Sequence, residues 1–168
     1  PGFVINGTPL HPNVFCFNEG VAPGKYIPEP QFSDLTGLKP CIEEIYPGYP
    51  TKGETPATAF GAMIADTYER ESLVVMWVGG KGSQTLADLG PGSLPYNSTL
   101  AAIEAFVVHA EAQWPGCTPI VDTCALMLAN DNLTLKDAFR PVLDAWIPAF
   151  KADAMARTGQ TQEPIIIL

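Results

Sequence analysis

The chain has 168 residues, of which 46% are hydrophobic; that is enough apolar surface to build one buried core and argues against disorder. Nine Lys and Arg stand against 18 Asp and Glu, a formal net charge of −9 that repels phosphate backbones and anionic lipid. Neither nucleic acid nor a membrane is therefore an expected partner, and no apolar run nears the ~20 residues of a membrane span.

In chain order, residues 1–54 alternate short apolar runs (GFVI, NVFCF) with turn formers such as NGT, HPN, APG, PEP and YPGYP. This texture predicts an irregular, loop-rich segment with one short strand at Val14–Phe17 and a turn of helix within LTGLKPCIEEIY. Regular α/β structure is expected over 55–168, the two parts forming one domain. TPATAFGAMIADTYERE places Ala57, Phe60, Met63, Ile64 and Tyr68 at helical spacing, with Thr55 as cap and Pro56 at the first helical position. SLVVMWV is continuous in apolar residues, as a strand buried on both faces is. GGKGSQTL and the loop DLGPGSLPYN come next, then the helix STLAAIEAFVVHAEAQW and a second buried strand, PIVDTCALML. TLKDAFRPVLDAWIPAFKADAMA predicts helix, kinked or broken at Pro141 and Pro148. PIIIL reads as a final strand.

This alternation is that of an α/β protein with a parallel sheet and helices on both faces. Sites in such sheets form beyond the carboxyl ends of the strands, which here carry GGKGSQTL (79–86) and LANDNLTL (128–135). A phosphate loop is not expected: Lys81 lies between glycines and no helix follows at once, and G-x-G-x-x-G spacing is absent. No cofactor is implied. The four cysteines show no C-x-x-C spacing, so no metal site is predicted. Cys16 and Cys124 read as small core residues. An extended strand would hold Cys117 and Cys124 too far apart to bridge, whereas a disulfide at Cys41 stays open.

Two readings of the strand ends compete. In the first, the N–H of Gly80 or Gly82 and the side-chain amide of Asn130 form an oxyanion hole, whose donors must be fixed before charge develops. In the second, the glycines make a tight turn and Asn130-Asp131-Asn132 caps a helix. Elsewhere, His109 reads as a helix residue, His11 as a solvated turn residue, and Ser83 and Ser93 as loop serines without a neighbouring base. Asp66, Glu69 and Glu71 read as a solvated helix end, and Asp122 as a strand carboxylate in need of a partner. Trp77, Tyr96, Trp114 and Trp146 read as core and rim rather than as a sugar platform. Asn6, Asn97 and Asn132 open N-x-[ST] sequons.

GKGSQTLADLGPGSLPYNSTLAAIEAF resembles the block of SGNH hydrolases that runs G-x-G-G-x-S-I, a G-S/T-x-P-Y loop and a helix. It is closest to the sialate O-acetylesterase-like, carbohydrate-esterase branch of phage tail proteins. NVFCFNEGVAPG, GETPATAFGAMIAD and CALMLANDN resemble further segments of that branch, so the likeness covers most of the chain. The resemblance implies a three-layer α/β/α, flavodoxin-like fold with a central parallel sheet, lacking here its first strand and last helix. It implies ester hydrolysis on an acetylated polysaccharide, with Gly82 (Gly80 the other candidate) and Asn130 as oxyanion donors. The nucleophilic serine is then expected before Pro1 and the D-x-x-H base after Leu168. Leu128 and Ser83 stand where the family has glycine. A virion tail or extracellular location, neighbouring virion subunits and a homotrimer follow by association. The alternatives are a catalytically silent glycan-binding or structural module of the same fold, and an unrelated flavodoxin-like binding domain.

Overall fold

The computed structural model describes residues 11–20, 32–41, 56–67, 74–76, 87–125 and 136–167. The chain is a mixed α/β protein that divides into two compact units, Pro1–Val78 and Gly79–Leu168.

In the first unit, strand β1 (Val14–Phe17) is central. It pairs antiparallel with β2 (Leu38–Pro40), Phe15 opposite Pro40 and Cys16 opposite Lys39. On its other side it pairs parallel with β3 (Val74–Met76), Val14 opposite Val74. Val14, Cys16 and Phe17 are each no more than 2% exposed, so both faces of β1 take part in the core, as its VFCF run anticipates. Helix α1 (Pro56–Thr67) begins with proline at its first position and packs on β1 and β3. Its buried residues include Gly61 and Ala65, one helical turn apart, whereas Met63 is 58% exposed. Small residues thus form part of the buried stripe, and Met63 does not belong to it. Within LTGLKPCIEEIY, where a turn of helix is expected, residues 42–46 lie outside the described residues and Leu38–Pro40 is strand β2. Pairing with β1 decides this, and Pro40, which has no N–H to give, sits at the last position of an outer strand.

In the second unit, a short 3-10 turn (Ala87–Leu89) leads to helix α2 (Leu94–Gln113). The expected loop GSLPY is the opening of this helix. Ser93 is its N-cap, with Oγ accepting from the Tyr96 N–H at 3.3 Å, and Pro95 falls in the first turn, where a missing N–H costs nothing. The helix ends at Trp114, whose N–H donates to the Ala110 carbonyl, and Pro115 follows.

Strand β4 (Thr123–Ala125) pairs parallel with β5 (Ile165–Ile167), Cys124 opposite Ile166. Between them runs helix α3 (Lys136–Thr158), continuous through Pro141 and Pro148 where breaks or kinks are expected. Both prolines are exposed, so the carbonyls they leave without an N–H partner can turn to water. The opposite face carries Leu143, Trp146, Phe150 and Ala154 at helical spacing, packed with Tyr96, Leu100 and Ile103 of α2. Trp146 and Phe150 stack at 4.9 Å between centroids, and Tyr96 meets both edge-on. Burying three aromatics contributes about 5–9 kcal/mol, comparable to the ~6 kcal/mol that two interior prolines cost. Packing therefore overrides local propensity. The helix stops at Gly159, whose φ of 72° suits a residue without Cβ and whose N–H reaches the Met155 carbonyl.

Val121, Cys124 and Ile166 close the same core from the sheet side. Gln160 fixes the entry to β4. Its Oε1 accepts from the Val121 N–H at 2.6 Å and its Nε2 donates to the Val121 carbonyl at 3.0 Å. A side-chain amide here does what a strand backbone would, one residue before the Ile165 N–H takes over the ladder at Asp122.

The parallel pairing expected from the buried runs is present in both units. Among the described residues it occurs as two small sheets, one mixed and one parallel, rather than as a single central sheet.

Candidate functional site

The carboxyl end of β1 carries a cluster of polar groups. Phe17 and Gly20 close a tight turn, with the Gly20 N–H on the Phe17 carbonyl at 2.8 Å and Gly20 at φ 101°. The turn brings Asn18 and Glu19 against the start of β2. The Glu19 carboxylate accepts from the Thr36 N–H and, in a short contact, from the Thr36 hydroxyl. Asn18 Nδ2 donates to Thr36 Oγ1 at 3.3 Å, and Lys39 Nζ donates to the Asn18 carbonyl at 2.7 Å. Gly37 admits this arrangement: a Cβ there would stand 2.9 Å from Asn18 Nδ2. The cluster offers an exposed amide, a half-buried carboxylate and an ammonium. These groups can hydrogen-bond a polyol, but they include neither an activated nucleophile nor a free base. The sequence marks the segment only through NVFCFNEGVAPG; the pairing with Thr36 and Lys39 is set by strand register.

His11 departs from the solvated reading. Its side chain is 19% exposed, and Nε2 lies 3.4 Å from Asp66 Oδ1 on α1. Nδ1 accepts the Asn13 N–H at 3.1 Å, which in the neutral ring leaves the hydrogen on Nε2. Nδ1 is held by the turn backbone, and Nε2 lies within ion-pair range of α1. Asp66, next to the last residue of α1, keeps a side chain that is 74% exposed, as the solvated helix-end reading expects.

In the second unit, Tyr96 Oη donates to Asp153 Oδ2 at 2.6 Å. Burial, then this carboxylate, push the phenol well above its usual pKa, so it remains the donor. Arg157 lies between Asp153 and Glu104, with Nε 2.9 Å from Glu104 Oε1, within ion-pair reach though off the line of a hydrogen bond. The network joins α2 to α3. Trp146 Nε1 donates to the Leu89 carbonyl at 2.9 Å, so Tyr96 and Trp146 are core groups with satisfied polar ends, as the sequence suggests. A shallow cleft of about 410 Å³ on α3, lined by Ile147, Lys151, Met155 and Glu163, is bridged by the Lys151–Glu163 ion pair at 2.8 Å.

Ser93 is engaged as a helix cap, and Asp122 accepts from the Thr123 hydroxyl at 3.0 Å. His109 is half-buried on α2. Asn97 lies in the first turns of α2 with Nδ2 on the Gly92 carbonyl. All four cysteines are free thiols, Cys16 buried and Cys124 half-buried. Burial pushes the Cys124 thiol up to about 11. Among the described residues no three His, Cys, Asp or Glu side chains gather as a metal site, and no helix is long and apolar enough to cross a membrane.

Gly80, Gly82 and Asn130 lie outside the described residues, as do Trp77, Ser83, Leu128, Glu69, Glu71, Asn6 and Asn132. In the chain, 79–82 comes after β3 and 128–130 after β4, and each of these two strands has a parallel partner. Comparison with family models, with curated proteins and with solved structures gives no match for this chain.

Proposed function

We propose that the chain is the oxyanion-side portion of an SGNH-type carbohydrate O-acetylesterase-like domain, acting on acetyl esters of a polysaccharide in a phage tail or related virion protein. One observation supports this reading: β3 and β4, which the two motif segments follow in the chain, each have a parallel partner, and α/β sheets build their sites beyond the carboxyl ends of such strands. The full three-layer fold, the extracellular or virion setting, contacts with neighbouring subunits and a homotrimer belong to the same proposal. In it, the N–H of Gly82 or Gly80 and the amide of Asn130 stabilise the tetrahedral oxyanion. The serine nucleophile, and the histidine that takes its proton, come from segments flanking residues 1–168. His11 is not offered as a substitute base, since its Nδ1 already accepts the Asn13 N–H and its Nε2 lies beside the Asp66 carboxylate.

Two measurements test this. The surrounding gene should encode G-x-S within about 30 residues upstream and D-x-x-H within about 50 downstream, allowances set by the size of one βα unit. The complete polypeptide should release acetate from an acetylated glycan or from 4-nitrophenyl acetate. Asn130→Ala should cost about 10²-fold or more in rate. An unchanged rate removes Asn130 from the site. Leu128 and Ser83, which take glycine positions, favour a second reading: a silent glycan-binding or structural module. Glycan retention without acetate release would select it.

A further inference from the structure

Cys16 lies within β1, and Cys41 directly follows β2. The register sets Cys16 opposite Lys39, and the Cys41 N–H continues the ladder to the Val14 carbonyl at 2.8 Å. Side chains alternate along a strand and opposed residues share a face, so Val14, Cys16, Lys39 and Cys41 fall on one side of the pair. The two cysteines are diagonal neighbours on that side, 2% and 1% exposed, and near enough that each thiol perturbs the other. Cys117 and Cys124 belong to the other unit.

We propose that Cys16 and Cys41 are a redox modification site, a thiol pair that hydrogen peroxide converts into a disulfide stapling β1 to β2. The burial of both sulfurs selects a small oxidant over a peptide disulfide. Cys16 is assigned as the nucleophile because the register sets Lys39 directly opposite it; the neighbouring Cys41, and then Lys39, hold its pKa below the usual thiol value despite burial, with Glu19 opposing them. The same contact, with burial, holds the Cys41 proton on. The Cys16 thiolate attacks one peroxide oxygen, the O–O bond breaks, and hydroxide leaves and takes up a proton, giving a sulfenic acid and one water. The Cys41 sulfur then attacks the Cys16 sulfur, the S–O bond breaks, and the hydroxide leaves as a second water with the Cys41 proton. Two thiols lose two electrons and two protons, and the peroxide is reduced to two waters. The staple would fix the strand pair at its Val14–Cys41 end, away from the turn that carries Asn18, Glu19 and Thr36.

The test uses the intact chain. It is treated with hydrogen peroxide, its remaining thiols are capped with N-ethylmaleimide in denaturant, and it is digested without reductant for mass spectrometry. The expected product is one linked peptide pair holding Cys16 and Cys41, reversed by dithiothreitol, with Cys117 and Cys124 capped. Oxidation should also raise the folding equilibrium constant on the order of a hundredfold, as closing a loop of this span does. Recovery of Cys16 and Cys41 both capped overturns the proposal; so does linkage of either to Cys117, to Cys124 or to a second chain. In Cys41→Ser, which keeps an O–H donor beside Cys16 but cannot form a disulfide, the sulfenic acid has no partner and should be trapped by dimedone at Cys16. Failure to trap it there in a folded variant overturns the assignment of the nucleophile, and the wild-type cross-link decides the pair whether or not that variant folds.

Discussion

Replacing Gln160 by alanine should unfasten the entry to β4. The side chain makes two bonds to the Val121 backbone, at 2.6 and 3.0 Å, and a third to the Gln162 carbonyl at 2.6 Å. Each contributes about 0.5–1.5 kcal/mol net, and a half-buried backbone group left unpaired costs a further fraction of its desolvation. Because Val121 is only half-buried, water replaces part of what is lost, and the expected cost is about 2–3 kcal/mol. Against a total of ~5–15 kcal/mol, that moves a urea midpoint by roughly 1 M. The transition can be followed through the fluorescence of Trp146, whose ring lies in the same core. Gln160→Glu is the sharper comparison. Ionised, it still accepts from Val121 but turns a carboxylate toward two carbonyls that require a donor. It should be at least as destabilised at pH 7, and should regain stability as acid restores the O–H donor, its carboxyl pKa being raised in the folded state. A change below about 0.5 kcal/mol for the alanine variant, with unchanged hydrogen exchange at the Val121 amide, would refute the idea that a side chain stands in for a strand here.

Tyr96→Phe removes the 2.6 Å bond to Asp153 while keeping the edge-on ring contacts, and should cost about 1–2 kcal/mol by urea unfolding. Gly37→Ala drives a Cβ against Asn18 Nδ2 and should cost about 1–2 kcal/mol; adding Asn18→Ala should return part of it, a coupling that a double-mutant cycle reads directly. The raised thiol of Cys124 makes stability fall with alkali. Below pH 9.0, the ordinary thiol value, its contribution is fully present, and it is lost as pH rises toward about 11, because the unfolded chain gives up that proton first. Cys124→Ala should flatten this part of the stability–pH profile by about 2–3 kcal/mol.

Sequence periodicity locates α1, α2 and α3 because each has a buried stripe, and the continuous apolar runs locate β3, β4 and β5. What it misplaces depends on partners distant in the chain. Leu38–Pro40 has little strand character of its own and becomes β2 by lying beside β1. Pro141 and Pro148 argue for a broken helix until Trp146 and Phe150 are seen packed on α2. The start of α2 was within reach: Ser93 followed by proline in the first turn is a capping signature, hidden by the glycines before it. His11 looked solvated because nothing near it in sequence announces Asp66. For the candidate site, the sequence marks the strand ends that carry Gly80, Gly82 and Asn130, and the polar cluster after β1 only in part. Asn18 and Glu19 gain their partners Thr36 and Lys39 through register, which local pattern does not encode.

The pairing of β4 with β5 across the whole of α3 also imposes an order on synthesis. Chains emerge from the ribosome N-terminus first at ~5–20 residues per second, so α2 and most of α3 are available to pack while β5 is still inside the exit tunnel. Through that interval the edge of β4 is unpaired, and Gln160 emerges before Ile165. By taking hold of Val121, that side chain can set the register of the last strand before the strand itself arrives.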